Sequence, residues 1–168
     1  NDGTVLKDGR SEDVAASYLS SGVATAAIRE WPDPRRAPGS DAVRLRSVRV
    51  LDRNGAIATT IDIRETVAIE LEYDVLKSGH VLLPHFSVHT VEGTLAFVGL
   101  DQDPEWRGRP RPPGRYRSTG WIPGNLLTEG LMMIGPAMRT VEPDIKHFAE
   151  RDAVSFQVVD APGQDTAR

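Results

Sequence analysis

The sequence predicts an all-β domain, a sandwich of two antiparallel sheets. Two observations carry this. Apolar and polar residues alternate in short stretches along much of the chain, most cleanly from Thr66 to Val75. Turn signals such as Asn54-Gly55, Ser78-Gly79 and Glu92-Gly93 separate these stretches, and 15 glycines and 12 prolines supply the punctuation.

The elements follow in order. Ser11 to Leu19 reads as a short helix, with Ser11 as N-cap and Glu12 and Asp13 in its first turn. Val14 and Tyr18 share one face of it. Periodicity fades from residue 21 to residue 42, and the run from Trp31 to Ser40, rich in Pro and Arg, reads as a linker with Trp31 anchored on the next domain. Val43 and Leu45, then Val48 and Val50, make a first strand whose phase slips near Ser47, the mark of a bulge. Asn54-Gly55 signals a hairpin leading to a second strand over Ile57 to Ile63. From Thr66 to Val75, Val67, Ile69, Leu71, Tyr73 and Val75 point inward and Glu70, Glu72 and Asp74 outward. From Val81 to Thr90, Phe86 and Val88 point inward and His85, Ser87 and His89 outward. Thr94 to Leu100 follows, with Leu95 and Phe97 on one face.

Residues 101 to 113 break the rhythm and read as a long loop. Gly114 to Ile122 and the Met-rich Leu131 to Met138 are strand-like, and Asp144 to Glu150 reads as a helical turn. Val154, Phe156 and Val158 line one face of a last strand over Ala153 to Val159, before a disordered tail over 161–168. This pattern does not separate an immunoglobulin-like topology from a jelly roll.

Composition narrows the function classes. A net charge of −4 gives a nucleic-acid partner no global electrostatic support. Without cysteine there are no disulfides, thiolate metal sites or thiol catalysis. No run of about 18 apolar residues is present to span a membrane as a helix.

Two resemblances add to this reading. Asn1 to Ser20, with Gly3-Thr4-Val5, the Asp8-Gly9-Arg10 turn and Val14…Tyr18-Leu19, resembles the C-terminal tail of an ABC-transporter ATPase. No GxxxxGK motif is present, so the ATPase's phosphate-binding part is expected to lie elsewhere. Val48-Arg49-Val50-Leu51-Asp52…Gly55, Pro84-His85-Phe86-Ser87-Val88, Glu92-Gly93-Thr94-Leu95, Pro113-Gly114-Arg115-Tyr116 and Asp152-Ala153-Val154-Ser155-Phe156 then occur in an order that resembles the C-terminal carbohydrate-binding domain of Wzt-type ATPases of polysaccharide (O-antigen) ABC exporters.

The resemblance implies an immunoglobulin-like β-sandwich over 43–160, preceded by an ATPase tail over 1–20 and a linker over 21–42. It implies a homodimer that binds the exported polysaccharide near its non-reducing end and gates export without breaking bonds. It further implies a cytoplasmic place at the inner face of the membrane and a permease partner reached through the ATPase. ATP and magnesium would belong to that ATPase, and this segment would need no cofactor.

Sugar recognition requires flat apolar faces and planar polar side chains. Asp101, Gln102, Asp103, Trp106 and Arg107 supply both within one loop. Trp106 could stack on a sugar, or plug the end of the sandwich. His85, Ser87 and His89 form a second candidate wall, or an ordinary solvated or dimer-buried face. His85 and His89 lie about 13 Å apart along a strand, too far to share one metal ion. Trp121 shares a strand face with Arg115, Arg117 and Thr119, a strip for sugar binding or for dimer contact, while Tyr116 on the other face points to the core. Arg107, Arg109, Arg111, Arg115 and Arg117 form a basic cluster that could meet an anionic glycan or phospholipid head groups, or be solvated. Met132, Met133 and Met138 read as core or interface residues. A glycosidase would need two carboxylates converging across a cleft, and Asp101, Asp103 and Glu105 lie in a single loop. A dimerisation domain that binds no sugar is the other rival.

Overall fold

The computed structural model describes residues 26–162. The helix expected over Ser11 to Leu19 and most of the expected tail fall outside them. Among these described residues, ten strands form two facing sheets. In chain order they are β1 (Ile28–Glu30), β2 (Val43–Leu51), β3 (Thr60–Asp62), β4 (Val67–Val75), β5 (Leu82–Thr90), β6 (Leu95–Leu100), β7 (Gly114–Ile122), β8 (Gly130–Thr140), β9 (Ile145–Ala149) and β10 (Val154–Val159).

The first sheet runs β1-β2-β4-β7 and the second β3-β10-β8-β5-β6, with β9 also on β8. All neighbours are antiparallel except β3 and β10, which are parallel. Alternate side chains of the strands fill the space between the sheets. Val43, Leu45, Val48 and Val50 of β2 are buried, and the β2–β4 register slips between Leu45 and Ser47, the expected bulge. All five inward side chains of β4 are buried, as are Val154, Phe156 and Val158 of β10.

Three expectations need correction. The second strand is only Thr60–Asp62 and does not return beside β2. After Asn54-Gly55 a single Leu51–Ile57 bridge forms, and the chain then crosses to the opposite sheet. Asp144 to Glu150 contains a strand, not a helical turn, because Ile145–Ala149 folds back on β8 and satisfies its backbone there. The stretch read as linker contributes β1, which pairs with β2, while Trp31 packs against the core as the expected anchor.

Pro136 lies inside β8, where a missing N–H would normally break a ladder. It falls at the junction where β8's outer neighbour changes from β10 (as far as Ile134) to β9 (from Ala137). Its carbonyl accepts from the Glu150 amide.

Candidate functional site

The two sheets end side by side at β6 and β7, which the 101–113 loop connects. Asp101 and Asp103 shape that loop. The Asp103 amide donates to Asp101 Oδ1, and the Glu105 amide donates to Asp103 Oδ1, at 2.9 Å each. The amides of Trp106 and Arg107 donate to the Asp103 carbonyl. Four carboxylate and carbonyl acceptances thus wind the loop into successive turns.

These turns bring Asp101, Gln102, Asp103, Trp106 and Arg107 to the wall of one depression of about 340 Å³, with Arg111 and Val81 to Leu83 beside them. All five loop candidates therefore meet. Trp106 is half-buried. Its ring stands edge-on to Tyr116 at 5.5 Å, and the Arg111 guanidinium lies 5.6 Å from its centroid. It closes part of the sandwich end and lines the depression at once.

Arg111 is the residue that sequence reasoning passed over. Grouped with solvated arginines, it is instead 2% exposed. It donates to the Leu82 carbonyl at 3.0 Å and to Asp101 Oδ2 at 2.9 Å, an ion pair that offsets the cost of burying both charges. Ser118 also donates to Asp101 Oδ2 at 2.7 Å, which leaves its oxygen to accept from Tyr73. Burial pushes the Tyr73 phenol up, so it stays protonated and donates. Asp101 is thus occupied on both oxygens and holds the loop to the sandwich. Gln102 and Arg107, both exposed, are the planar side chains that reach solvent. The partner of Arg111 stands ten positions earlier in the same loop, the one signal the sequence held.

Asp101 also stands in the wall of a second space, a cleft of about 230 Å³ between β6 and β7. Leu71, Phe86, Phe97, Gly99, Ser118, Gly120 and Trp121 line it. Trp121 is 56% exposed and sits at its rim. Tyr116 faces inward, packs on the core and stacks on Tyr73 at 6.0 Å.

The other candidates separate. His85, Ser87 and His89 do face outward from β5. His85 touches the cleft, with its Nδ1–H donated to the Leu83 carbonyl at 3.0 Å. Ser87 donates to the Gly135 carbonyl, and neither Ser87 nor His89 lines the depression or the cleft. Arg115 and Arg117 are paired with β4 carboxylates: Arg115 with Asp74 at 2.8 Å, Arg117 with Glu72 at 3.0 Å and Glu70 at 3.5 Å. Arg111, Arg115 and Arg117 of the basic cluster are therefore bound to separate carboxylates, and Arg107 and Arg109 are exposed. Met132, Met133 and Met138 are buried, Met132 and Met138 in the main core. Among the described residues, no three His, Asp or Glu side chains gather as a metal-binding group, and no helix is long and apolar enough to cross a membrane.

No family model and no curated protein matches the chain. Solved structures do. A CARDB domain from Pyrococcus furiosus, solved in complex with di-metal ions, is similar with a TM-score of 0.42 and 11% identity over 78% of this chain and 100% of that chain. The crystal structure of the C-terminal domain of Wzt is similar with a TM-score of 0.62 and 9% identity. The likeness covers 92% of this chain and 91% of that chain, so what the two share is an architecture carried by very different side chains.

Proposed function

We propose that this chain is a non-catalytic glycan-binding module of a polysaccharide ABC-exporter ATPase. On this reading it binds the exported O-antigen-like glycan near its non-reducing end and gates transport from the cytoplasmic face, with a permease engaged through the ATPase. The observation that carries the reading is the meeting of Trp106, Gln102, Asp103 and Arg107 around one depression, next to a cleft rimmed by exposed Trp121. Aromatic faces beside planar donors and acceptors are what sugar rings require. The fold shared with the C-terminal domain of Wzt supports the same reading. Asp101 and Asp103 serve loop geometry, which fits binding better than acid–base chemistry.

The test is a titration of the chain with the polysaccharide of its source organism and with an unrelated glycan, by calorimetry or NMR. Binding of the native glycan alone, weakened at least several-fold by Trp106→Ala or Trp121→Ala, is the expected result. Absence of binding overturns the reading.

A second reading, a homodimerisation domain with no glycan site, is favoured by β6. This edge strand exposes Leu95, Val98 and Leu100. It predicts that an unrelated dimer can replace the domain in an export assay, which a glycan gate forbids.

A further inference from the structure

At the cleft between β6 and β7 two inward positions carry no side chain. Gly99 on β6 and Gly120 on β7 both pack on the ring of Phe86. A Cβ at Gly99 would stand 2.5 Å from Phe86 Cζ, and one at Gly120 would stand 2.5 Å from Phe86 Cε1. Any larger residue at either place would have to displace that ring. Elsewhere in the sandwich the inward positions of β2, β4 and β10 hold Val, Ile, Leu, Tyr or Phe. Here the interlayer space stays partly unfilled, and about 230 Å³ opens to solvent beside Trp121.

The inner wall of this space is Phe86, Phe97, Leu71 and Ile122. Its inner polar side chains are already satisfied within the protein: Ser118 donates to Asp101 and accepts from Tyr73, and Asp101 holds Arg111 and the loop amide of Asp103. A ligand hydroxyl pushed against this inner wall would lose water and find Ser118 and Asp101 already taken, which is unfavourable; the other polar side chains of the lining, His85 and Thr119, belong to the outward faces of β5 and β7. A methyl group would meet aromatic and aliphatic carbon and gain from burial. At the rim, Trp121 offers a flat face for a sugar ring.

We propose that this cleft is a specificity subsite for a sugar residue bearing a methyl group in place of a hydroxymethyl, that is, a 6-deoxyhexose. The proposal rests on the glycan-binding reading above and names the class of residue read at one point of the bound chain. Gly99 and Gly120 are positioning residues for it, since their missing side chains let the Phe86 ring lie against both strands as the wall the methyl meets.

The experiment uses the full 168-residue chain, isotope-labelled, in matched NMR titrations. The probes are D- and L-galactose, mannose and glucose, each against its 6-deoxy counterpart. At least one 6-deoxy sugar is expected to bind about tenfold to a hundredfold more tightly than its hydroxymethyl partner. It should shift the Gly99 and Gly120 amides and the Trp121 indole, with nuclear Overhauser contacts from the sugar methyl to the Phe86 and Phe97 rings. Gly120→Ala should abolish the preference. If that variant does not fold, the Overhauser contacts in the unaltered chain decide. Equal binding of every pair, or a preference without those contacts, overturns the proposal. Should the source polysaccharide still shift the Trp106 indole, the glycan-binding reading survives alone; if no sugar or polysaccharide shifts any signal, both fall.

Discussion

Strand β4 and the β6–β7 edge face the same interlayer space and fill it differently. Val67, Ile69, Leu71, Tyr73 and Val75 of β4 are all closed over. At the edge, the inward positions include Phe97, Gly99, Ser118 and Gly120, with open space left between them. β4 is flanked by β2 and β7, so its inward side chains lie under neighbours on both sides. β6 and β7 each have one sheet neighbour. The difference teaches where this sandwich can bind something: at the border, where packing is incomplete and a buried polar network keeps the opening in shape.

That contrast can be broken experimentally. The largest effect is expected at the network that anchors the border loop. Arg111→Ala leaves Asp101 half-buried without its cation and should cost about 3–5 kcal/mol in urea denaturation. Next comes a matched pair of core changes. Ile69→Ala, in the closed region, should cost about 2–5 kcal/mol, because the hole it leaves has no access to solvent. Phe86→Leu at the border should cost only about 1 kcal/mol, because the space it vacates joins an existing cleft. Equal losses for the two would mean that the cleft is closed in solution.

A smaller effect concerns His147, which is buried between Ser40 and Thr140 with ring contacts at 2.8 and 2.7 Å. Burial lowers its pKa below the usual 6.5, and the nearby His80 ring lowers it further, while Asp41 works the other way. The unfolded chain therefore binds this proton more readily than the folded one. The stability His147 contributes is complete above the unfolded value and drains away as pH falls through the folded one. Unfolding free energy should decline from pH 7.5 to 5.5, and His147→Gln should flatten the slope. The carboxylates with lowered pKa, Asp41 and Asp62, lose their contributions only at much lower pH, as each is protonated through its folded value, about 2 for Asp62. The smallest change is expected for Leu100→Ser on exposed β6, within about 0.5 kcal/mol by thermal denaturation. A shift in sedimentation with that variant would mark β6 as a contact between copies.

Much of the central framework was legible. The bulge in β2 showed itself as a slip from Val43 and Leu45 to Val48 and Val50, and β4, β5 and β10 showed themselves by alternation. What stayed hidden depends on distant partners. β3 pairs with β10, nearly a hundred residues later in the chain, and nothing local marks three residues as a parallel strand. β9 lacks clean alternation because its pairing with β8 slips between Met138 and Arg139. The outward Glu70, Glu72 and Asp74 were placed on the correct face, yet Arg46, Arg49, Arg115 and Arg117 lie over them, and Glu70 is buried. At the candidate site the loop residues were found by type. Arg111 was missed because a guanidinium in a basic run looks the same in sequence whether it is solvated or buried.

The carbonyls of Ala26 and Ala27 are adjacent in the chain but belong to different sheets. Ala26 accepts from Ser155 of β10, and Ala27 accepts from Val50 of β2. A pull on the backbone at this point is shared between both layers at once, through one hydrogen bond to each. Residues 26 and 27 therefore tie the entry of the chain to both sheets. A rotation imposed on it turns the whole sandwich, cleft and loop included, as one lever.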